Sequence, residues 1–76
     1  MRLNVNRMGK FLEARERFTS VKIEDGILYA VDDLGVVWIV PASGIVETTC
    51  KKSVPVLWMQ GSYEIICKAM QAAEVY

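Results

Sequence analysis

The sequence predicts an α+β fold: a small antiparallel sheet, a three-stranded meander extendable to five strands. A C-terminal helix packs on one face, and a short N-terminal helix lies at the edge or on the other face. Three observations predict it. Asp25-Gly26 separates two runs of β-branched and aromatic residues, Asp32-Asp33-Leu34-Gly35 supplies a second turn, and Ile65, Ile66, Ala69, Met70 and Ala73 recur at helical spacing near the end of the chain.

The first helix is read between Met8 and Phe18, where Met8, Phe11, Leu12 and Arg15 fall on one face and Glu13 precedes Arg17 by four positions. Gly9 weakens its first turn. Residues 1–7 read as a basic arm, flexible or an edge strand, with Arg2 and Arg7.

The meander follows at 18–24, 27–31 and 36–40, ended by Pro41. A two-residue turn at Asp25-Gly26, where both positions need positive φ, pairs Glu24 with Ile27, Ile23 with Leu28 and Val21 with Ala30. A four-residue turn from Asp32 pairs Val31 with Val36, Tyr29 with Trp38 and Leu28 with Ile39. Alternation then gives one aliphatic face, with Val21, Ile23, Leu28, Ala30, Val37 and Ile39. The other face combines Lys22 with Tyr29, Val31, Val36 and Trp38. That second face is either open or covered by a helix.

Ile45 to Cys50 alternates weakly as a fourth strand, before a turn at Lys51-Lys52-Ser53. The stretch 54–60 fits two readings, an edge strand because Pro55 cannot donate to a ladder, or a helix start capped by Ser53. The last helix is expected from 63 to about 74, with Ser62 as its N-cap and Glu64 paired to Lys68. The strand spacing and Asp25-Gly26 resemble those of small Sm-like and SH3-like barrels over about half the chain, a pattern the C-terminal helix departs from.

At 76 residues the chain suits one domain, 1–76, with a thin core. A hydrophobic fraction of 53% argues against disorder. The longest uncharged stretch, Leu34 to Val46, is too short to cross a bilayer and holds Pro41, so no membrane partner is expected. The charged N-terminal region does not read as a secretory signal, and a cytoplasmic location follows. Cys50 and Cys67 read as reduced thiols, and two cysteines without histidine cannot supply a four-ligand zinc site unless carboxylates complete it, so no metal is expected.

Net charge is zero but segregated. Residues 1–22 carry six basic against two acidic side chains, whereas residues 23–47 carry Glu24, Asp25, Asp32, Asp33 and Glu47 with no basic residue.

Without histidine, acid-base chemistry would fall to carboxylates, Lys, Tyr or Cys. The pairs Glu24-Asp25 and Asp32-Asp33 read as solvated turn formers, Cys67 as packing, and the glycines as isolated turns. No enzyme and no cofactor are expected. The leading reading is a small non-catalytic protein-binding module that modulates or inhibits a larger host complex, in the manner of phage-type inhibitors of transcription or defence machinery. Its contact residues are Arg7, Lys10, Arg15, Arg17, Lys22, Tyr29 and Trp38, with the aromatic pair as anchor. The partner is a larger protein or nucleoprotein complex, and a homo-oligomer is compatible with the excess of apolar residues. The alternative is a nucleic-acid-binding regulator that uses the basic N-terminal segment.

Overall fold

The computed structural model describes residues 2–49 and 53–75. The order is α1 (Val5–Glu13), β1 (Phe18–Glu24), β2 (Ile27–Asp32), β3 (Val37–Pro41), β4 (Glu47–Thr49) and α2 (Val56–Ala73). The strands form one antiparallel sheet in the order β1-β2-β3-β4, so the α+β expectation holds. The sheet is open, with β1 and β4 as edges, and is not a barrel. The expected Lys51-Lys52 turn and the Cys50 thiol lie outside the described residues.

The first hairpin forms as the sequence dictates. Asp25 and Gly26 have φ of 52° and 75°, the sign a tight hairpin turn demands, and the pairs Glu24 with Ile27, Ile23 with Leu28 and Val21 with Ala30 are all present.

The second hairpin corrects the register by one residue. Ala30 faces Trp38, Tyr29 faces Ile39 and Leu28 faces Val40. The cause is Asp32, which joins β2 instead of opening a four-residue turn. Its N–H donates to the Val36 carbonyl, its carbonyl accepts from Gly35, and its Oδ1 accepts from the N–H groups of Leu34 and Val36 at 3.0 Å each. Three residues, 33–35, then span the turn, with Gly35 at φ 81°. A one-residue slip exchanges the faces of a strand, so Trp38 joins Leu28 and Ala30 while Val37 and Ile39 join Tyr29.

Both helices pack on the Leu28/Ala30/Trp38 face. Helix α1 comes close at Gly9, where a Cβ would lie 3.3 Å from Ile23 Cδ1 and 3.5 Å from Val21 Cγ1. Helix α2 presents Ile66, Ala69, Met70 and Ala73, all buried, to a core shared with Met8, Leu12, Leu28, Trp38 and Val40. The expected stripe is therefore the core face.

Two helix boundaries move. Helix α1 starts earlier, because the Asn4 side chain accepts the Arg7 N–H as an N-cap. Residues 2–4 are not a loose arm: Leu3 is buried and donates to the Ala42 carbonyl, and Asn4 donates to the Ala73 carbonyl. Helix α2 starts at Val56 after Pro55, which settles 54–60 in favour of the helical reading, although Ser53 is not the cap. Ser62 lies inside the helix, fully buried.

Candidate functional site

Because both helices cover one face, the opposite face of the sheet is left without either. Ile27, Tyr29 and Val31 on β2, and Val37, Ile39 and Pro41 on β3, stand on it as two apolar rows, each residue half-buried. Strand alternation produces this: the intervening Leu28, Ala30, Trp38 and Val40 point into the core. The cross-strand row through the middle runs Lys22, Tyr29, Ile39, Glu47. A hollow of about 290 Å³ lies between Ile27, Ile39, Pro41, Ser43, Ile45 and Glu47, and Ile45 at its rim is 69% exposed.

The residues expected to meet a partner are not gathered in one place. Tyr29 is half-buried on the open face, and Lys22, exposed beside it, forms an ion pair with Glu24 at 3.3 Å. Arg7 and Lys10 are exposed on the outer side of α1, where with Asn4 and Asn6 they line a second hollow of about 310 Å³. Arg15, past the helix end, lays its guanidinium 4.0 Å over the Phe11 ring.

Trp38 and Arg17 sit elsewhere. Trp38 is 3% exposed, on the face opposite Tyr29, so the expected Tyr29–Trp38 pair does not exist. Arg17 stacks 3.8 Å over the Trp58 ring and donates through Nη1 to the Trp58 carbonyl at 3.1 Å and to Ser62 Oγ at 3.2 Å. It is committed to α2, not to Glu13, and it packs against Gly61, where a Cβ would lie 3.2 Å from Nη1.

Sequence reasoning missed the buried polar cluster centred on Asp32. Besides the two backbone N–H groups on Oδ1, Asp32 Oδ2 accepts Trp38 Nε1–H and Ser62 Oγ–H, each at 3.2 Å. Asp32 is 1% exposed, so it is not the solvated turn residue its neighbours suggested. Four donors on one carboxylate offset its desolvation and leave no open position for a substrate. Leu34, Val36 and Trp38 are near in the chain, but Ser62, which closes the cluster, is thirty residues away and carries no local signal.

Tyr63 extends this cluster to the surface, its ring 6.2 Å from that of Trp38. The hydrogen bond and charge interaction with Cys67, then slight desolvation, raise the Tyr63 phenol above its ordinary value. Among the described residues no group of three or more potential ligands could hold a metal ion, and no helix is long and apolar enough to cross a membrane.

Comparison with protein-family models finds no match, and comparisons with curated proteins and with solved structures find none either.

Proposed function

We propose that the protein is a non-catalytic protein-binding module that modulates or inhibits a larger complex. The observation that carries this reading is the placement of both helices on one face of the sheet. That leaves five half-buried apolar residues around Tyr29 on the other face. An apolar row of this kind, rimmed by Lys22, Glu24 and Glu47, has the make-up of a docking surface: an aromatic centre with a charged margin. On the far side of the sheet, Arg7 and Lys10 are exposed together on α1 and Arg15 is exposed past its end, basic groups that suit an acidic surface on the partner. Small size, segregated charge and two separate surfaces support an inhibitor of the kind phages direct at transcription or defence machinery.

Affinity capture of binding proteins from the native cell tests the reading. The wild-type chain should retain a defined larger complex, and Arg7→Glu with Lys10→Glu should lose it with the fold intact by circular dichroism. Retention of the same complex by that variant and by Tyr29→Glu would refute the proposal.

The hollow between Asn4, Asn6, Arg7 and Lys10 favours a second reading, contact of the basic N-terminal segment with nucleic-acid phosphates. Binding to arbitrary DNA or RNA that weakens steeply with salt, and is lost with Arg7 and Lys10, would favour it.

A further inference from the structure

We propose that the open sheet face pairs with the same face of a second copy of this chain, about a two-fold axis parallel to the strands. This rests on reading that face as an interface and names its occupant. The larger complex is then met by the basic groups of α1, which the pairing turns outward.

The charge pattern selects the second copy and the axis. Lys22, Tyr29, Ile39 and Glu47 form one row across the four strands, positive at the β1 edge and negative at the β4 edge. A two-fold parallel to the strands carries β1 of one copy over β4 of the other. Lys22 then meets Glu47 of the second copy at both ends of the row, and Tyr29 packs on Ile39 in the middle. A two-fold across the strands would instead set Lys22 on Lys22 and Glu47 on Glu47, which like-charge repulsion opposes. Stacked sheets approach to about 10 Å with strand directions within about 30°, a distance that side chains in a row can span.

The sheet edges favour this over strand addition. Strand β1 is irregular between Phe18 and Ser20 and carries the Lys22–Glu24 ion pair, and among the described residues β4 offers Glu47, Thr48 and Thr49, all exposed and polar. Short, charged or irregular edges are poor templates for another strand. Lys22 keeps its contact with Glu24, an exposed pair of little energy, and shares its charge with Glu47 of the second copy.

Sedimentation equilibrium on the full chain, from low micromolar to about 100 μM, reads the assembly. The wild type should be a dimer at the upper end, and Tyr29→Glu a monomer. Lys22→Glu and Glu47→Lys should each weaken the dimer by roughly tenfold or more. The double swap Lys22→Glu/Glu47→Lys should restore it, as should an equimolar mixture of the two single variants, because each places opposite charges at both contacts. Lys22 and Glu47 are exposed, so these swaps test the pairing even if Tyr29→Glu fails to fold.

A wild type that stays monomeric, or a dimer unaffected by the swaps, overturns the proposal. So does weakening by each single swap that neither the double swap nor the mixture repairs. Failure here is separable from failure of the binding-module reading: a monomeric wild type that still retains its complex, and loses it on Tyr29→Glu, overturns only the second copy as occupant.

Discussion

Ser62 donates its hydroxyl hydrogen to Asp32 Oδ2 at 3.2 Å, joining the middle of α2 to the end of β2 across thirty residues of chain. Arg17 in turn donates to the same hydroxyl, so one serine links a cation on the α1–β1 connection, a carboxylate at the end of β2 and the long helix.

This linkage should be measurable as coupling. Ser62→Ala is expected to cost about 1–2 kcal/mol and Asp32→Ala about 3–5 kcal/mol, the second because four donors lose their acceptor. The double variant should fall short of the sum by about 0.5–3 kcal/mol in urea unfolding. Strict additivity would show that the two side chains do not interact in solution.

Trp38 should behave as core. Trp38→Ala is expected to cost about 3–5 kcal/mol, and Trp38→Phe less, since Phe keeps a six-membered ring in the core and gives up the pyrrole ring with its bond to Asp32. A Trp38→Ala variant with an unchanged denaturant midpoint would place the indole outside the core.

Gly61 and Arg17 give a prediction whose sign depends on the background. In the wild type, Gly61→Ala pushes against the guanidinium, which two hydrogen bonds and the Trp58 ring hold in place. The substitution should therefore be destabilising there. In an Arg17→Ala background the obstacle is gone, and the same change should stabilise by about 0.5–1 kcal/mol through helix propensity. Equal effects in the two backgrounds would separate Gly61 from Arg17.

Tyr63 should ionise above the ordinary tyrosine value of 10.0, held neutral chiefly by its hydrogen bond with Cys67. Since folding raises this pKa, the contribution is complete below the ordinary value and is lost as pH climbs through the folded one. Cys67→Ala should lower the pH at which the Tyr63 phenolate absorbance appears, read as the difference from a Tyr63→Phe control. An unchanged titration curve would show that Cys67 does not hold the phenol.

What the sequence revealed depended on how far its signals reach. Asp25-Gly26 fixes its own backbone geometry, so the first hairpin and its pairs were legible. The stripe from Ile66 to Ala73 is likewise local and marked the core side of α2. The second turn departs from expectation because Asp32 turns its carboxylate back onto the Leu34 and Val36 N–H groups and buries it against Trp38 and Ser62, the last a partner that only the folded chain supplies. That single carboxylate turned β3 over and moved Trp38 from the expected binding surface into the core. Gly61-Ser62 looked like a helix boundary for a similar reason. The glycine is there to make room for Arg17 and the serine to bond Asp32, and neither partner is visible from within the helix. The open face was legible only as a surplus of apolar residues on both sides of a sheet, because which side the helices cover depends on the β3 register. Asn4 was the exception, a local cap signal that was overlooked.

The backbone ladder between the first and last described residues bears on how the fold is completed. Val75 donates to the Arg2 carbonyl, Leu3 bridges Glu74 and Asn4 donates to the Ala73 carbonyl, so strand-like pairing closes the chain into a ring. Closing a loop of roughly 70 residues costs about 4 kcal/mol of chain entropy, a large fraction of what so small a core can supply. On a ribosome, the seat of Leu3, begun by Ala42, would stay incomplete until the end of α2 had emerged, and the growing chain would have its helix-facing apolar surface only partly covered until then. Joining residues 2 and 75 through a short peptide would remove that closure cost from the unfolded state. New ends opened at Asp25-Gly26 would then report how much of this protein's stability resides in the circle, and how much in the sheet it encloses.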